Sequence, residues 1–148
     1  MTELHSDVFR FLGGERALGI EDPNDPLALH KVVLRGVPAK SAVYFKDYVG
    51  LSNVLFAVLL GVSEKTFIRW QQTPRKAIGP VASDRLVRTV KIMALAEQVL
   101  ESNQNAKQWL NERQSALGGE TPRDLLSTDV GAQQVKDLLL QMEHGYLA

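Results

Sequence analysis

Apolar residues recur along this chain at three- and four-residue intervals, and no alternating apolar–polar run is bounded by hairpin turns. The pattern predicts an all-α fold. Its sharpest stretch runs from Asn53 to Gln72 and reads as two short helices around a tight turn, with Gly61 at the corner. Ala57 precedes that glycine by one helical turn, and a small side chain there lets two helices cross closely. Gly61 suits the left-handed conformation that closes a helix, and Ser63 is placed to cap the next one. Val62 before the cap and Phe67 one turn inside the helix form a hydrophobic staple. Ile68 is expected to help fix the second helix to its partner, and Trp70 to be buried or half-buried. Glu64, Lys65, Thr66 and Arg69 are left to face outward. This is a helix-turn-helix pattern whose second helix is a candidate reader of a DNA major groove. The same spacing suits an ordinary helical hairpin in a core, so the stretch alone leaves both readings open.

Upstream, Val8, Phe9, Phe11 and Leu12 are spaced for a short docked helix, within a segment 1–24 expected to be mobile. Asp25-Pro26 predicts a helix start, continuing to Val33 or Leu34 and stopping at Gly36. A helix from Pro38 to Tyr48 follows, with Ala42, Phe45 and Val49 inward, and Ser52 caps the first motif helix. Downstream, Thr73-Pro74 and Gly79-Pro80 break the period around Arg75 and Lys76. A long helix is expected over about 81–101, with two apolar rows: Leu86, Val90 and Met93, then Ile92, Leu95 and Val99. Two rows fit burial in the chain's own core or at a dimer interface, since helix-turn-helix units commonly pair on two half-sites. Asn103–Arg113 is a further helix with Ala106, Trp109 and Leu110 inward. Thr121-Pro122-Arg123-Asp124 is a capping box opening a short helix, and Thr128 caps a last helix ending near Gly145.

The net charge of the 148 residues is zero, but its distribution is uneven. Residues 63–91 carry seven Lys/Arg against Glu64 and Asp84, a net +5, and residues 97–148 carry four against eight acids, a net −4. A cationic stretch that begins with the second motif helix favours a nucleic-acid partner, with Ser63, Lys65, Thr66, Arg69, Arg75 and Lys76 as the candidate DNA-binding residues. There is no cysteine, so neither a disulfide frame nor a thiolate site exists. His5, His30 and His144 stand in no metal-ligand spacing. No phosphate-cradling loop or nucleophile elbow is present, so no cofactor and no enzyme activity are expected. No apolar run reaches membrane-spanning length, and the start lacks the order of a signal peptide, so a cytoplasmic protein without membrane contact is expected.

The second half carries a resemblance. Gly61-Val62-Ser63, Ser83-Asp84-Arg85-Leu86, Ala94-Leu95-Ala96 and Ala106-Lys107-Gln108-Trp109-Leu110 resemble the Xre/MbcA/ParS antitoxin family. So do Ala116-Leu117-Gly118-Gly119, Thr121-Pro122 with Leu125-Leu126, Gly131-Ala132, Val135, Leu138-Leu139 and Glu143-His144-Gly145, all in family order. The likeness covers roughly residues 50–146, and the first 50 residues carry no landmark. Gln114-Ser115 departs from the family's frequent Asn-Pro, which should loosen one turn. The resemblance implies an antitoxin of a type II toxin–antitoxin pair that blocks the active site of a cognate RES-domain, NAD-consuming toxin. It further implies that the helix-turn-helix binds operator DNA and represses the shared operon. On this chain the blocking end falls at Glu143, His144, Gly145 and Tyr146. The expected division is residues 1–24, a helix-turn-helix lobe at 25–80 and a toxin-binding domain at 81–148, in a homodimer. The alternative is a stand-alone transcriptional regulator with no toxin partner.

Overall fold

The structure, a computed structural model, describes residues 2–145, and their side chains from residue 7 onward. It is all-α: among the described residues the only strand-like pairing is one isolated antiparallel bridge between Pro38 and Ala77. The chain divides into two compact units, one up to Val90 and the other from Lys91. Among the described residues no helix is long and apolar enough to cross a membrane.

The first unit contains α1 (Thr2–Phe11), α2 (Glu15–Leu18), α3 (Ala28–Arg35), α4 (Ala39–Val49), α5 (Asn53–Leu60) and α6 (Glu64–Gln72). It also takes the first half of α7 (Pro80–Leu100). Its core is built on a chain of aromatic rings. Phe11 of α1 lies tilted 4.7 Å from Tyr48 and stands 6.4 Å from Phe45, both of α4. Phe45 lies 6.3 Å from Phe56 of α5, which meets Phe67 of α6 edge-on at 5.3 Å. Phe67 in turn meets Trp70 edge-on at 5.9 Å. Tilted and edge-to-face pairs put the positive rim of one ring against the negative face of the next. The rings therefore fix α6 to helices that lie far from it in sequence. Val8, Phe9, Phe11 and Leu12 are all buried, so α1 is docked on this core.

Two local expectations change. α3 begins at Ala28, not at Pro26, because Asp25 serves an earlier turn. One of its carboxylate oxygens accepts the Leu27 N–H at 2.9 Å and the other accepts Lys31 Nζ at 2.7 Å. Ile68 does not anchor α6: it is 38% exposed, and Phe67 and Trp70 carry the burial.

The second unit holds the rest of α7, then α8 (Asn103–Asn111), a 3-10 turn (Ser115–Leu117), α9 (Pro122–Leu125) and α10 (Asp129–Glu143). Both apolar rows of α7 are buried, except Val99, which is half-buried. Ala106, Leu110, Leu126, Ala132, Val135, Leu138 and Leu139 are buried as well. The turn at Gln114-Ser115 is closed without a proline. Gln114 N–H donates to Glu120 O at 3.0 Å, and its carbonyl accepts the Gly119 N–H at 3.0 Å. Its side-chain amide donates to Glu112 O at 3.3 Å. These bonds hold the turn that the missing proline was expected to loosen.

Candidate nucleic-acid interface and antitoxin domain

The helix-turn-helix is α5 and α6, each opened by a serine. Ser52 Oγ accepts the Leu55 N–H at 3.2 Å, and Ser63 Oγ accepts the Thr66 N–H at 3.0 Å, each satisfying a donor that the first helical turn leaves open. Ser63 also donates its hydroxyl to Thr66 Oγ1 at 2.9 Å, so these two candidate DNA-binding residues form one cap. Gly61 closes α5 at φ +69°, in the left-handed region. A side chain here meets a second obstacle, because a Cβ would overlap Arg85 Nη1. Arg85 reaches from α7 to donate to Leu60 O at 3.2 Å, at the end of α5 where carbonyls lack helical partners. The empty side of Gly61 is thus the seat of the Arg85 guanidinium. Charge counting registers Arg85 only as one cation among several. Its role in holding the motif depends on a contact across 25 residues, which no local signal reveals.

On α6 the outward face is Glu64, Lys65, Ile68, Arg69 and Gln72, all exposed and recurring at helical spacing. Thr66 is half-buried. Gln71 Nε2 donates to Asn53 Oδ1 at 3.4 Å, joining the far end of α6 to the start of α5. Ile68 and Gln72 thus join the sequence-derived candidates on this face. The periodicity that assigns Lys65 and Arg69 to the surface carries Gln72 with them, whereas an apolar side chain such as Ile68 is presumed inward.

The segment after α6 is anchored by backbone bonds. Lys40 N–H donates to Pro74 O at 2.9 Å, Ala39 N–H to Lys76 O at 2.8 Å, and Ile78 N–H to Val37 O at 2.8 Å. Val37 N–H donates to the buried Ser83 Oγ at 2.8 Å. Arg75 and Lys76 are therefore exposed side chains on a fixed backbone. Beside them lies an open groove of about 560 Å³, lined by Arg69 of α6, Lys76 of the connection and Arg85 of α7. Three cations from three elements bordering one concavity suit a phosphate, which donors and positive charge hold without reading sequence.

In the second unit, Thr121 Oγ1 accepts the Asp124 N–H at 3.2 Å and Thr128 Oγ1 accepts the Gly131 N–H at 3.0 Å. Gly131 is buried, and a Cβ on it would overlap the Leu125 carbonyl, so α10 starts directly against the end of α9. At the far end of α10, Glu143 accepts a bond from Gln98 Nε2 at 3.3 Å. His144 is exposed and donates its backbone N–H to Leu140 O at 3.1 Å, while Gly145 turns left-handed at φ +72°. Tyr146, the last residue of the expected blocking end, lies outside the described residues.

An exposed cationic second helix, a fixed basic connection and a second compact helical unit define a two-unit helix-turn-helix protein. Two family models match parts of the chain. The antitoxin Xre-like helix-turn-helix domain matches residues 28–91, and the antitoxin Xre/MbcA/ParS C-terminal toxin-binding domain matches residues 95–145. The two matches follow one another along the chain without overlap. It is similar to Antitoxin Xre of Pseudomonas putida, 42% identical over 64 residues, which are 43% of this chain and 40% of that relative. It is also similar to Antitoxin Xre of Yersinia enterocolitica, 30% identical over 86 residues, 57% of each chain. The matched region thus spans about half the length of these curated relatives.

Proposed function

We propose that this chain is the antitoxin of a type II toxin–antitoxin pair, acting through α5–α6 on operator DNA and through its C-terminal unit on a cognate RES-domain toxin. The observation that carries the proposal is the toxin-binding domain at residues 95–145 in the same chain as a helix-turn-helix with a cationic outward face. On DNA, α6 enters the major groove with Lys65 and Arg69 toward the bases. Arg75 and Lys76 hold phosphates at the duplex edge, and the Ser63–Thr66 cap presents the helix N-terminus to the backbone. Two copies on paired half-sites form the repressing homodimer.

Toward the toxin, the C-terminal stretch of net −4 complements a basic cleft shaped for a phosphate-rich dinucleotide such as NAD⁺. Glu143, His144, Gly145 and Tyr146 are the proposed blocking end. The exposed carboxylate supplies charge, and the left-handed Gly145 turns the chain out of the helix axis. In this role the chain neutralises an enzyme without being one, and it works in the cytoplasm, where operator and toxin are both met.

Two experiments separate the halves of the proposal. Co-expression with a RES-domain toxin from the same genome should restore growth and yield a stable complex, and deleting residues 130–148 should abolish both. Growth rescued equally well by the deleted chain would leave a stand-alone regulator. Replacing Arg75 and Lys76 by Met should weaken operator binding and lower the salt slope by about 1 for each phosphate no longer neutralised. An unchanged slope would refute their placement at the duplex.

A further inference from the structure

Ile68 is out of place by the usual logic of a helical surface. The opposite face of α6 buries Phe67 and Trp70. Ile68 instead sits amid Glu64, Lys65, Arg69 and Gln72, with more than a third of its surface open. A β-branched residue also forms helix less readily than the Lys, Arg or Ala that a solvated face ordinarily carries. Single exposed apolar residues are common on proteins, so exposure alone decides nothing. What decides it is the setting. Lys65 and Arg69 flank Ile68 on α6, and Arg75 and Lys76 project from the connection that follows. One apolar side chain between Lys65 and Arg69, with two further cations on the segment that follows, complements a surface that is anionic overall yet offers an isolated apolar group.

The major groove of DNA is such a surface. Among the four base pairs, the only apolar group presented there is the C5-methyl of thymine, and aliphatic side chains recognise it by contact. We propose that Ile68 packs on a thymine methyl and is a specificity-determining residue of the DNA-binding face. The inference rests on the operator-binding reading above and adds to it. Lys65, Arg69, Arg75 and Lys76 supply affinity, and Ile68 requires a thymine at one position of each half-site.

The test uses the full-length chain. A duplex is selected from a random pool and rebuilt with deoxyuridine at each thymine in turn, which removes the methyl and leaves base pairing intact. At one thymine per half-site, uracil should weaken binding about fourfold, the equivalent of one methylene-sized contact. That loss should vanish in Ile68→Ala and persist in part in Ile68→Val, which retains a branched side chain at the same place. Both variants alter an outward-facing side chain, and unchanged circular dichroism would show that α6 is intact. Uracil losses equal in the wild type and Ile68→Ala, or none at any thymine while binding persists, would overturn the inference and leave operator binding standing. Failure of the wild type to retain any duplex would overturn the operator reading together with it.

Discussion

Replacing Gly131 by Ala sets local propensity against packing. In a helix, Ala is favoured over Gly by about 1 kcal/mol, so a reading confined to α10 predicts that the variant gains stability. The surroundings oppose this. A Cβ at Gly131 would overlap the Leu125 carbonyl and stand 3.0 Å from Thr128 Oγ1, the atom that caps α10. The obstacle is backbone, which cannot swing away as a flexible side-chain end can. Forcing an extra methyl-sized group into such a contact costs about 1–3 kcal/mol, and displacing the Thr128 cap costs about 1 kcal/mol more. The net expectation is a destabilisation of about 1–3 kcal/mol, opposite in sign to the propensity term. The chain has two tryptophans, Trp70 in the first unit and Trp109 in the second, so a Trp70→Phe background reports the second unit alone. Urea denaturation followed by Trp109 fluorescence should then show a midpoint lowered by roughly 1–2 M. A midpoint equal to or above that of the parent would refute the argument from the Leu125 carbonyl.

Gly61→Ala should lose about 2–4 kcal/mol, combining the left-handed penalty with disruption of the Arg85 bond to Leu60 O. Because the second cost falls on Arg85 while the first does not, adding Arg85→Met should be less than additive in a double-mutant cycle, and strict additivity would argue against the shared contact. Phe11→Ala removes a ring in contact with Phe45 and Tyr48 and should cost about 3–5 kcal/mol by chemical denaturation, while a change below about 1 kcal/mol would mean that α1 adds little to the core. The Lys31 ammonium, and next the Leu27 N–H, hold the Asp25 carboxyl below its usual range. A carboxyl depressed in the folded state contributes stability above its unfolded pKa and loses it as pH falls through the folded one. Asp25→Asn should therefore be less stable than the parent at pH 7, with the gap closing as pH drops below about 4. A gap that stays constant down to pH 2 would exclude titration of Asp25 as its cause.

What could be read from the sequence was whatever is settled within a turn or two of chain. Ser52, Ser63, Thr121 and Thr128 each bond a backbone N–H three residues on, and that spacing alone is enough to place them as caps. Asp25 misleads because two local turns compete for one carboxylate, and the Lys31 bond that accompanies the earlier turn comes from beyond the predicted start. Ile68 is assigned inward because helical periodicity names a face without naming what covers it, and the ring chain ending in Phe67 and Trp70 leaves that side open. Arg85 is invisible as a structural residue for the opposite reason. Gly61 looks complete as a turn glycine, since its positive φ alone accounts for it, and nothing local announces that a guanidinium fills the place of its side chain. Once that contact is known, the Ser83-Asp84-Arg85-Leu86 landmark gains a physical meaning. Ser83 fastens the connection through Val37 and Arg85 fastens the turn through Leu60, so one helical turn of α7 fixes both the turn that leads into α6 and the basic segment that follows it. The exposed cations of α6 therefore stand on a backbone that is tied at both ends.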